Sequence, residues 1–355
     1  MEKYRVGIVG ATGMVGQRFI SLLKDHPWFE VNCVAASARS AGKTYREAVG
    51  ERWAFSWEIP EKVAGMTVVD AADIDEVSKN VDFVFCAVDM KKDEIRALEE
   101  AYAKHEIPVV SNNSACRGIE DVPMVVPEIN ADHLAVIEAQ KKRLGTKNGF
   151  IAVKPNCSIQ SYVPALTPLL DFEPEKVSVC TYQAISGAGK TFKTWPEMVD
   201  NVIPYIGGGD EKNENEPPKL WGHVEDGKIV NATLPVISAQ CLRVACSDGH
   251  MAAVSVSFKK KPTIEQIKER WANYETEAQR LELPSAPKPF LQYFEDPSRP
   301  QTRLDRDFQN GFGVSIGRLR EDKLFDYRFV CLSHNTVRGA AGGGKTLFLF
   351  MIQHG

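Results

Sequence analysis

The sequence predicts an α/β fold: a doubly wound parallel sheet at the N-terminus, followed by an α+β domain on a mixed sheet. Three observations carry this expectation. The first half alternates short apolar runs with amphipathic stretches, the βαβ pattern of a parallel sheet. A glycine-rich turn, Gly10–Gly16, directly follows the first apolar run. Beyond about residue 150 the apolar segments lengthen or alternate, as strands with one solvated face do.

Taken in order, Tyr4–Val9 is the first strand, Gln17–Lys24 a helix and Val31–Ala36 the second strand. Val81–Val88 is almost continuously apolar, as a strand buried on both faces must be. Lys92–His105 has helical spacing and Ile107–Ser111 is another strand. In the second half Val177–Ser186, Asn231–Val236 and Met251–Phe258 read as strands, and Ile264–Glu282 as a helix. Gly207–Lys219 is polar, acidic and Gly-rich and is expected to be an exposed loop. Leu283–Arg303 is Pro-rich and extended. Internal repeats and long low-complexity tracts are absent from the sequence.

The 355 residues suffice for about two domains. Hydrophobic content of 43% and charged content of 25% are those of a globular chain. A net charge of −4 supplies no basic field for nucleic acid or an anionic membrane, and no apolar run reaches the length of a membrane span. The opening Met1–Val6 enters a strand directly, without a signal-peptide core or a transit peptide, so a cytoplasmic protein is expected. Eight cysteines are scattered with no CxxC pair, which argues against a zinc site. Several lie in apolar runs as small buried hydrophobes, in keeping with a reducing compartment.

Gly10-Ala11-Thr12-Gly13-Met14-Val15-Gly16 is a GxxGxxG variant of the Rossmann fingerprint, between a strand and a helix. Its glycines permit a tight turn and close approach to a pyrophosphate, and the helix start adds amide donors. Gly10, Thr12, Gly13, Met14, Val15 and Gly16 are therefore candidate coenzyme contacts. A ligand-free structural turn is the bland alternative, and the placement at the chain start disfavours it. The second strand runs out through Ala36-Ser37-Ala38-Arg39-Ser40 with no carboxylate for a ribose 2′-hydroxyl. Ser37, Arg39 and Ser40 suit a 2′-phosphate, so NADP is expected over NAD. A solvated loop arginine is the competing reading.

Cys157 sits in Lys154-Pro155-Asn156-Cys157-Ser158, between an apolar strand and a helical segment. A cysteine at a helix start is tilted toward thiolate, the reactive form. A cysteine taken at random is more often buried and inert; the polar flanks Asn156 and Ser158 favour a nucleophile here. His250 follows Gly249 at the start of a strand, with Arg243 seven residues earlier. A lone histidine is more often structural, and spacing alone does not single this one out.

The ordered motifs GATGMVG, SNNSACR, KPNCS, TYQAISGAGK, ENEPPK, LRVACSDGH and NTVRGAAG, spread over essentially the whole chain, resemble aspartate-β-semialdehyde dehydrogenases of the archaeal and fungal-like branch. The resemblance implies Cys157 as acyl-thioester nucleophile, His250 as acid/base and Gln183 as orienter of the substrate. It implies Arg243 on the substrate α-carboxylate, Arg117 and Lys219 on the phosphate, Glu216 on the substrate amino group and Asn156 within the substrate site. Ser186, Gly187 and Gly189 would lie by the nicotinamide, with Asn335 hydrogen-bonded to the coenzyme. The implied reaction is NADP-dependent reductive dephosphorylation of L-4-aspartyl phosphate to L-aspartate 4-semialdehyde, in a homodimer or homotetramer. The helix after Asn335 would return to the first domain. That gives an NADP-binding domain of 1–153 plus 334–355 and a catalytic and dimerisation domain of 154–333.

Gly339-Ala-Ala-Gly-Gly-Gly344-Lys345-Thr346 fits the phosphate-loop pattern GxxxxGK[ST]. Only nine residues follow Thr346, too few for the remaining βα units of an ATPase. The run reads as a helix start that approaches the coenzyme. Among the alternatives, malonyl-CoA reductase shares the cysteine and coenzyme site but needs a CoA pocket; Glu216, Lys219 and Arg117 favour aspartyl phosphate. N-acetylglutamyl-phosphate reductase and glyceraldehyde-3-phosphate dehydrogenase match less well around the nucleophile. A non-enzymatic NADP sensor would have no use for one.

Overall fold

The computed structural model describes residues 3–354. By contact the chain forms two compact units, Met1–Val125 with Asp132–Lys154 and Val224–Ile229, and Val126–Ala131 with Pro155–His223 and Val230–Gly355.

The first unit is built on six parallel strands: β1 (Tyr4–Val9), β2 (Phe29–Ala36), β3 (Val69–Asp70), β4 (Phe83–Cys86), β5 (Val109–Ser111) and β6 (Ile151–Val153). Their order is β3-β2-β1-β4-β5-β6, so the winding reverses at β1. Such a switch point opens a crevice beyond the strand C-termini. All four residues of β4 are buried, the two-sided burial expected of Val81–Val88. The first helix spans Met14–Leu23, three residues earlier at its start than the periodicity suggests, because the glycine turn passes directly into it at Gly13. Phe19 of that helix stacks on Phe85 at 4.2 Å and joins Phe29 and Phe83 in the core.

The second unit holds a seven-stranded mixed sheet. Its strands are β7 (Pro174–Gln183), β8 (Val202–Ile203), β11 (Val236–Val244), β12 (His250–Phe258), β13 (Leu291–Phe294), β14 (Val314–Glu321) and β15 (Tyr327–Ser333). The order is β13-β14-β15-β12-β7-β11-β8. A separate two-stranded ribbon, β9 (His223–Glu225) and β10 (Lys228–Val230), lies between β8 and β11 in the sequence. The helix Ile159–Leu166, buried at every position, packs on β12, β14 and β15. Beside it, Trp271 donates its indole N–H to the Ala165 carbonyl at 2.7 Å.

Four expectations need correction. Gly207–Lys219 is not an exposed loop: Gly209–Leu220 is a helix with Asn213, Glu216 and Lys219 buried. Two of its acidic residues reach β11, where Asp210 accepts from the Cys241 N–H at 2.8 Å and Glu214 from the Ala239 N–H at 3.0 Å. Pro217 cannot donate to the Asn213 carbonyl, which instead accepts from the Tyr162 hydroxyl at 2.9 Å. Asn231–Val236 is strand only from Val236, since Pro235 has no N–H for a ladder. Ile264–Glu282 is two helices, Ile264–Ala272 and Glu277–Arg280, because Thr276 and Gln279 form a capping box that starts a second one. Residues 334–354, expected with the first unit, group with the second, where Gly342 at the start of the last helix packs on Phe312 and Val337.

Candidate active site

Cys157 precedes the buried helix Ile159–Leu166 by two residues and is half-buried, in the field of that helix start. Burial pushes the thiol of Cys33 up to about 11 and that of Cys241 to about 12, and raises Cys86, Cys116, Cys180 and Cys331 as well. Those six are thiols held away from the reactive form.

Strand register gathers the other groups. Arg243 at the end of β11 pairs with Gln183 at the end of β7, Met251 pairs with Tyr182, and His250 pairs with Ser333. Gln183, Arg243 and His250 therefore stand in one row on the buried face, the face that receives the helix behind Cys157. His250 Nε2 lies 3.3 Å from the Cys157 sulfur, and its Nδ1 accepts the Ala184 N–H at 3.1 Å. Arg243 donates to the Ala184 carbonyl at 2.7 Å. Burial lowers the pKa of this guanidinium, while the charge of Cys157 opposes the shift. A Cβ added to Gly187 would lie 2.9 Å from both Arg243 Nη1 and His250 Nε2, so the pair closes around a residue without a side chain. Asn335 accepts from the Gly249 N–H and donates to Ser186 Oγ, both at 2.8 Å, tying the start of β12 to the Ile185–Ala188 turn. Gln183 donates to Thr181 Oγ1 at 3.1 Å.

Glu216 and Lys219 lie one turn apart on the helix Gly209–Leu220. The Asn156 N–H donates to Glu216 at 2.5 Å, and the Asn156 side chain accepts from Ser158 N–H at 2.9 Å and Ser158 Oγ at 2.6 Å. The cysteine is thus bracketed by a bonded loop. Cys157, His250, Arg243, Gln183, Glu216, Asn156, Ser186 and Gly187 all belong to the second unit.

Arg117 belongs to the first unit and donates to the Asn112 carbonyl at 3.0 Å. Both side-chain polar atoms of Asn112 are buried without a hydrogen-bond partner among the described residues. Such an amide invites a polar ligand; the reading of the sequence missed it, and only its place in SNNSACR could have signalled it. Buried Glu99 anchors this loop through Ser111 Oγ and, at 3.0 Å, Asn113 Nδ2, and burial raises its pKa.

At the switch point, a cleft of about 730 Å³ is lined by Gly10, Thr12, Gly13, Ser37, Arg39 and Ser40, together with Lys43 and Arg52. Met14, Val15 and Gly16 form the first turn of the helix behind it. Lys43 is a second cation that the reading of the sequence did not weigh, and Asp70 also reaches the cleft, its carboxylate accepting the Ala72 N–H at 3.0 Å. This chemistry, a glycine turn with three cations and three hydroxyls, fits a phosphorylated dinucleotide. In the phosphate-loop-like run, Lys345 is buried with its amine 5.0 Å from the Phe312 ring, and a Cβ on Gly339 would meet that of Cys157 at 3.0 Å. Gly339 and Gly342 thus permit close packing on Cys157 and on Val337 and Phe312. Among the described residues, no group of three or more His, Cys, Asp or Glu could hold a metal ion, and no helix is long and apolar enough to cross a membrane.

Two family models match the chain: semialdehyde dehydrogenase, NAD binding domain, over residues 5–137, and semialdehyde dehydrogenase, dimerisation domain, over residues 166–338. The aspartate-semialdehyde dehydrogenase of Schizosaccharomyces pombe is 44% identical, with 96% of this chain and 95% of that one covered. Its Archaeoglobus fulgidus counterpart is 42% identical over 96% and 95%. The crystal structure of the Candida albicans enzyme with NADP superposes with a TM-score of 0.88 at 37% identity, covering 99% of each chain.

Proposed function

The chain belongs to the aspartate-semialdehyde dehydrogenase family, and from that premise we propose that Cys157 carries its reaction as an acyl-thioester. The reaction is the reversible, NADP-dependent reductive dephosphorylation of L-4-aspartyl phosphate to L-aspartate 4-semialdehyde, a step in the biosynthesis of lysine, threonine, methionine and isoleucine. The observation that carries the reading is the Cys157 sulfur 3.3 Å from His250 Nε2 at a helix start, with Arg243 alongside.

In this reading the thiolate attacks the acyl carbon and phosphate departs. Arg243 grips the α-carboxylate as a planar fork, Glu216 receives the α-ammonium, and Gln183 orients the acyl group. Arg117 and Lys219 hold the phosphate. The dinucleotide lies in the cleft at Gly10, Thr12 and Gly13, its 2′-phosphate met by Ser37, Arg39 and Ser40 with Lys43; Ser186, Gly187, Gly189 and Asn335 serve its nicotinamide end. When bound, the coenzyme supplies or accepts the hydride.

The uncovered face of the mixed sheet, with Tyr182 and Val236 exposed beside half-buried Met251 and Leu242, supports at least a homodimer. A cytoplasmic setting suits the free thiols. The deciding experiment is phosphate-dependent reduction of NADP with aspartate semialdehyde, run beside malonyl-CoA with NADPH. Turnover that requires phosphate and is lost in Cys157→Ala supports the reading; preference for malonyl-CoA overturns it.

A further inference from the structure

Every carbonyl of the turn Gly10–Gly13 has a donor. The Gly10 carbonyl accepts the Gly13 N–H at 3.1 Å, and the Gly13 carbonyl accepts the Gln17 N–H at 2.9 Å, both within the turn and its helix. The other two are held by side chains. The Ala11 carbonyl accepts from the Tyr45 hydroxyl at 2.8 Å, and the Thr12 carbonyl accepts from Gln17 Nε2 at 2.9 Å. Both donors are themselves fixed. Gln17 Nε2 also donates to the Arg52 carbonyl at 3.1 Å, and Gln17 Oε1 accepts the Ala54 N–H at 2.8 Å, so the amide has one orientation that satisfies both ends. Tyr45 is fully buried, burial pushes its phenol up, and the hydroxyl therefore stays a donor.

These bonds set the direction of the turn's amides, because a trans peptide points its N–H opposite its C=O. With the Ala11 carbonyl drawn to the buried phenol, the Thr12 N–H of the same peptide points away from it, and Thr12 lines the cleft. With the Thr12 carbonyl drawn to Gln17, the Gly13 N–H of that peptide keeps its bond to Gly10 and closes the turn. Gly10 and Gly13 flank these two peptides and resist a flip less than other residues do. A flipped peptide would turn a carbonyl oxygen toward an anion that needs an N–H.

We propose that Gln17 and Tyr45 are positioning residues for the coenzyme: by holding the Thr12 and Ala11 carbonyls they lock the peptide planes of the turn and preset its amides for the pyrophosphate. The proposal deepens, and rests on, the reading of this cleft as the dinucleotide site. The Thr12 N–H then acts with the amides of Met14, Val15 and Gly16, which the start of a helix leaves without intrahelical partners. A turn ordered in advance loses less on binding than one ordered by the ligand. The cations nearby are held by other bonds. The Lys43 carbonyl accepts the Val68 N–H at 2.8 Å, and the Arg52 guanidinium donates to the Ala48 carbonyl at 2.5 Å. Removing either brace therefore acts on the pyrophosphate and spares the 2′-phosphate.

The test compares two ligands in Gln17→Met, which keeps the length of the side chain and loses its amide, and in Tyr45→Phe, which loses only the hydroxyl. NADPH binding is followed by its fluorescence, and binding of adenosine 2′-monophosphate, which has the 2′-phosphate but no pyrophosphate, by displacement of NADPH. The proposal expects the Kd for NADPH to rise about tenfold in each variant, as for loss of a hydrogen bond to a charged group, while that for adenosine 2′-monophosphate stays within about twofold of the parent. A Kd for NADPH within about threefold of the parent overturns it. So does an equal loss for both ligands, since a merely structural role would disturb the whole cleft. If Gln17→Met does not fold, Tyr45→Phe decides. The two levels of failure are distinguishable: a parent that binds neither ligand overturns the reading of the cleft and the proposal with it, whereas a parent that binds both, beside a Tyr45→Phe that binds as well, overturns the proposal alone.

Discussion

The Asn156 N–H donates to the Glu216 carboxylate at 2.5 Å, one residue ahead of Cys157, the proposed nucleophile. In the proposed reading Glu216 has two tasks, to receive the substrate ammonium and to hold the loop that presents Cys157. Different substitutions separate them. Glu216→Gln keeps an acceptor for Asn156 but loses the charge, so the KM for aspartate semialdehyde should rise about 10–100-fold, as for loss of a charged hydrogen bond, with kcat little changed. Glu216→Ala also frees the loop and should lower kcat. Steady-state kinetics of both variants check this, and an unchanged KM in the Gln variant would remove Glu216 from the substrate site.

Gly187→Ala is expected to be disproportionately harmful. The added methyl would lie 2.9 Å from Arg243 Nη1 and from His250 Nε2, so both must shift by several tenths of an ångström. A misplacement of about 1 Å at reacting groups costs about a hundredfold, so a shift of about half that should lower turnover about tenfold. Circular dichroism should show the fold intact while kcat falls; near-parental turnover would mean that the pair is not held as tightly as this contact requires.

How far these features could be read from the sequence depended on how local their causes are. The parallel sheet and its glycine turn were legible because two-sided burial leaves near-continuous apolar runs and the turn sits directly between strand and helix. The helix Gly209–Leu220 was not, because the acceptors that make its acidic face useful, Asp210 and Glu214, serve edge amides of a strand about thirty residues away. His250 was one histidine among seven until the β11–β7–β12 register set it beside Arg243 and over the cysteine. Asn112 escaped notice for a related reason, since a buried amide without a partner is a property of the fold.

Coenzyme choice should hinge on the cations of the first cleft. Arg39 and Lys43 line it, and the C-terminal end of β2 carries no carboxylate. Arg39→Ala should raise the KM for NADPH about tenfold, a moderate effect because the side chain is exposed, and leave that for NADH nearly unchanged. The Arg39→Ala/Lys43→Ala double variant should narrow the preference further. Kinetics with the two coenzymes provide the check, and equal losses with both would place the 2′-phosphate elsewhere.

Lys345 offers a test of stability that is independent of turnover. It is 5% exposed, in the first turn of the helix Gly342–His354, and faces the Phe312 ring. Burial lowers its pKa from 10.5 to about 8, and the positive end of the helix dipole works in the same direction. The folded state therefore penalises the charged amine. Below about pH 8 the amine is charged in both the folded and unfolded chains, and the full penalty applies. Between about 8 and 10.5 the folded chain has released the proton while the unfolded chain keeps it, so stability rises with pH across that window. Lys345→Met retains the stem and removes the charge. At neutral pH it should stabilise the protein, by at most ~3 kcal/mol. Its advantage should shrink as pH climbs through the window, because the parent recovers the same free energy by deprotonation. Urea unfolding of both proteins at a series of pH values measures this. A variant no more stable than its parent at neutral pH, or a gap that widens in alkali, would show that the amine finds solvent or an acceptor in the folded chain.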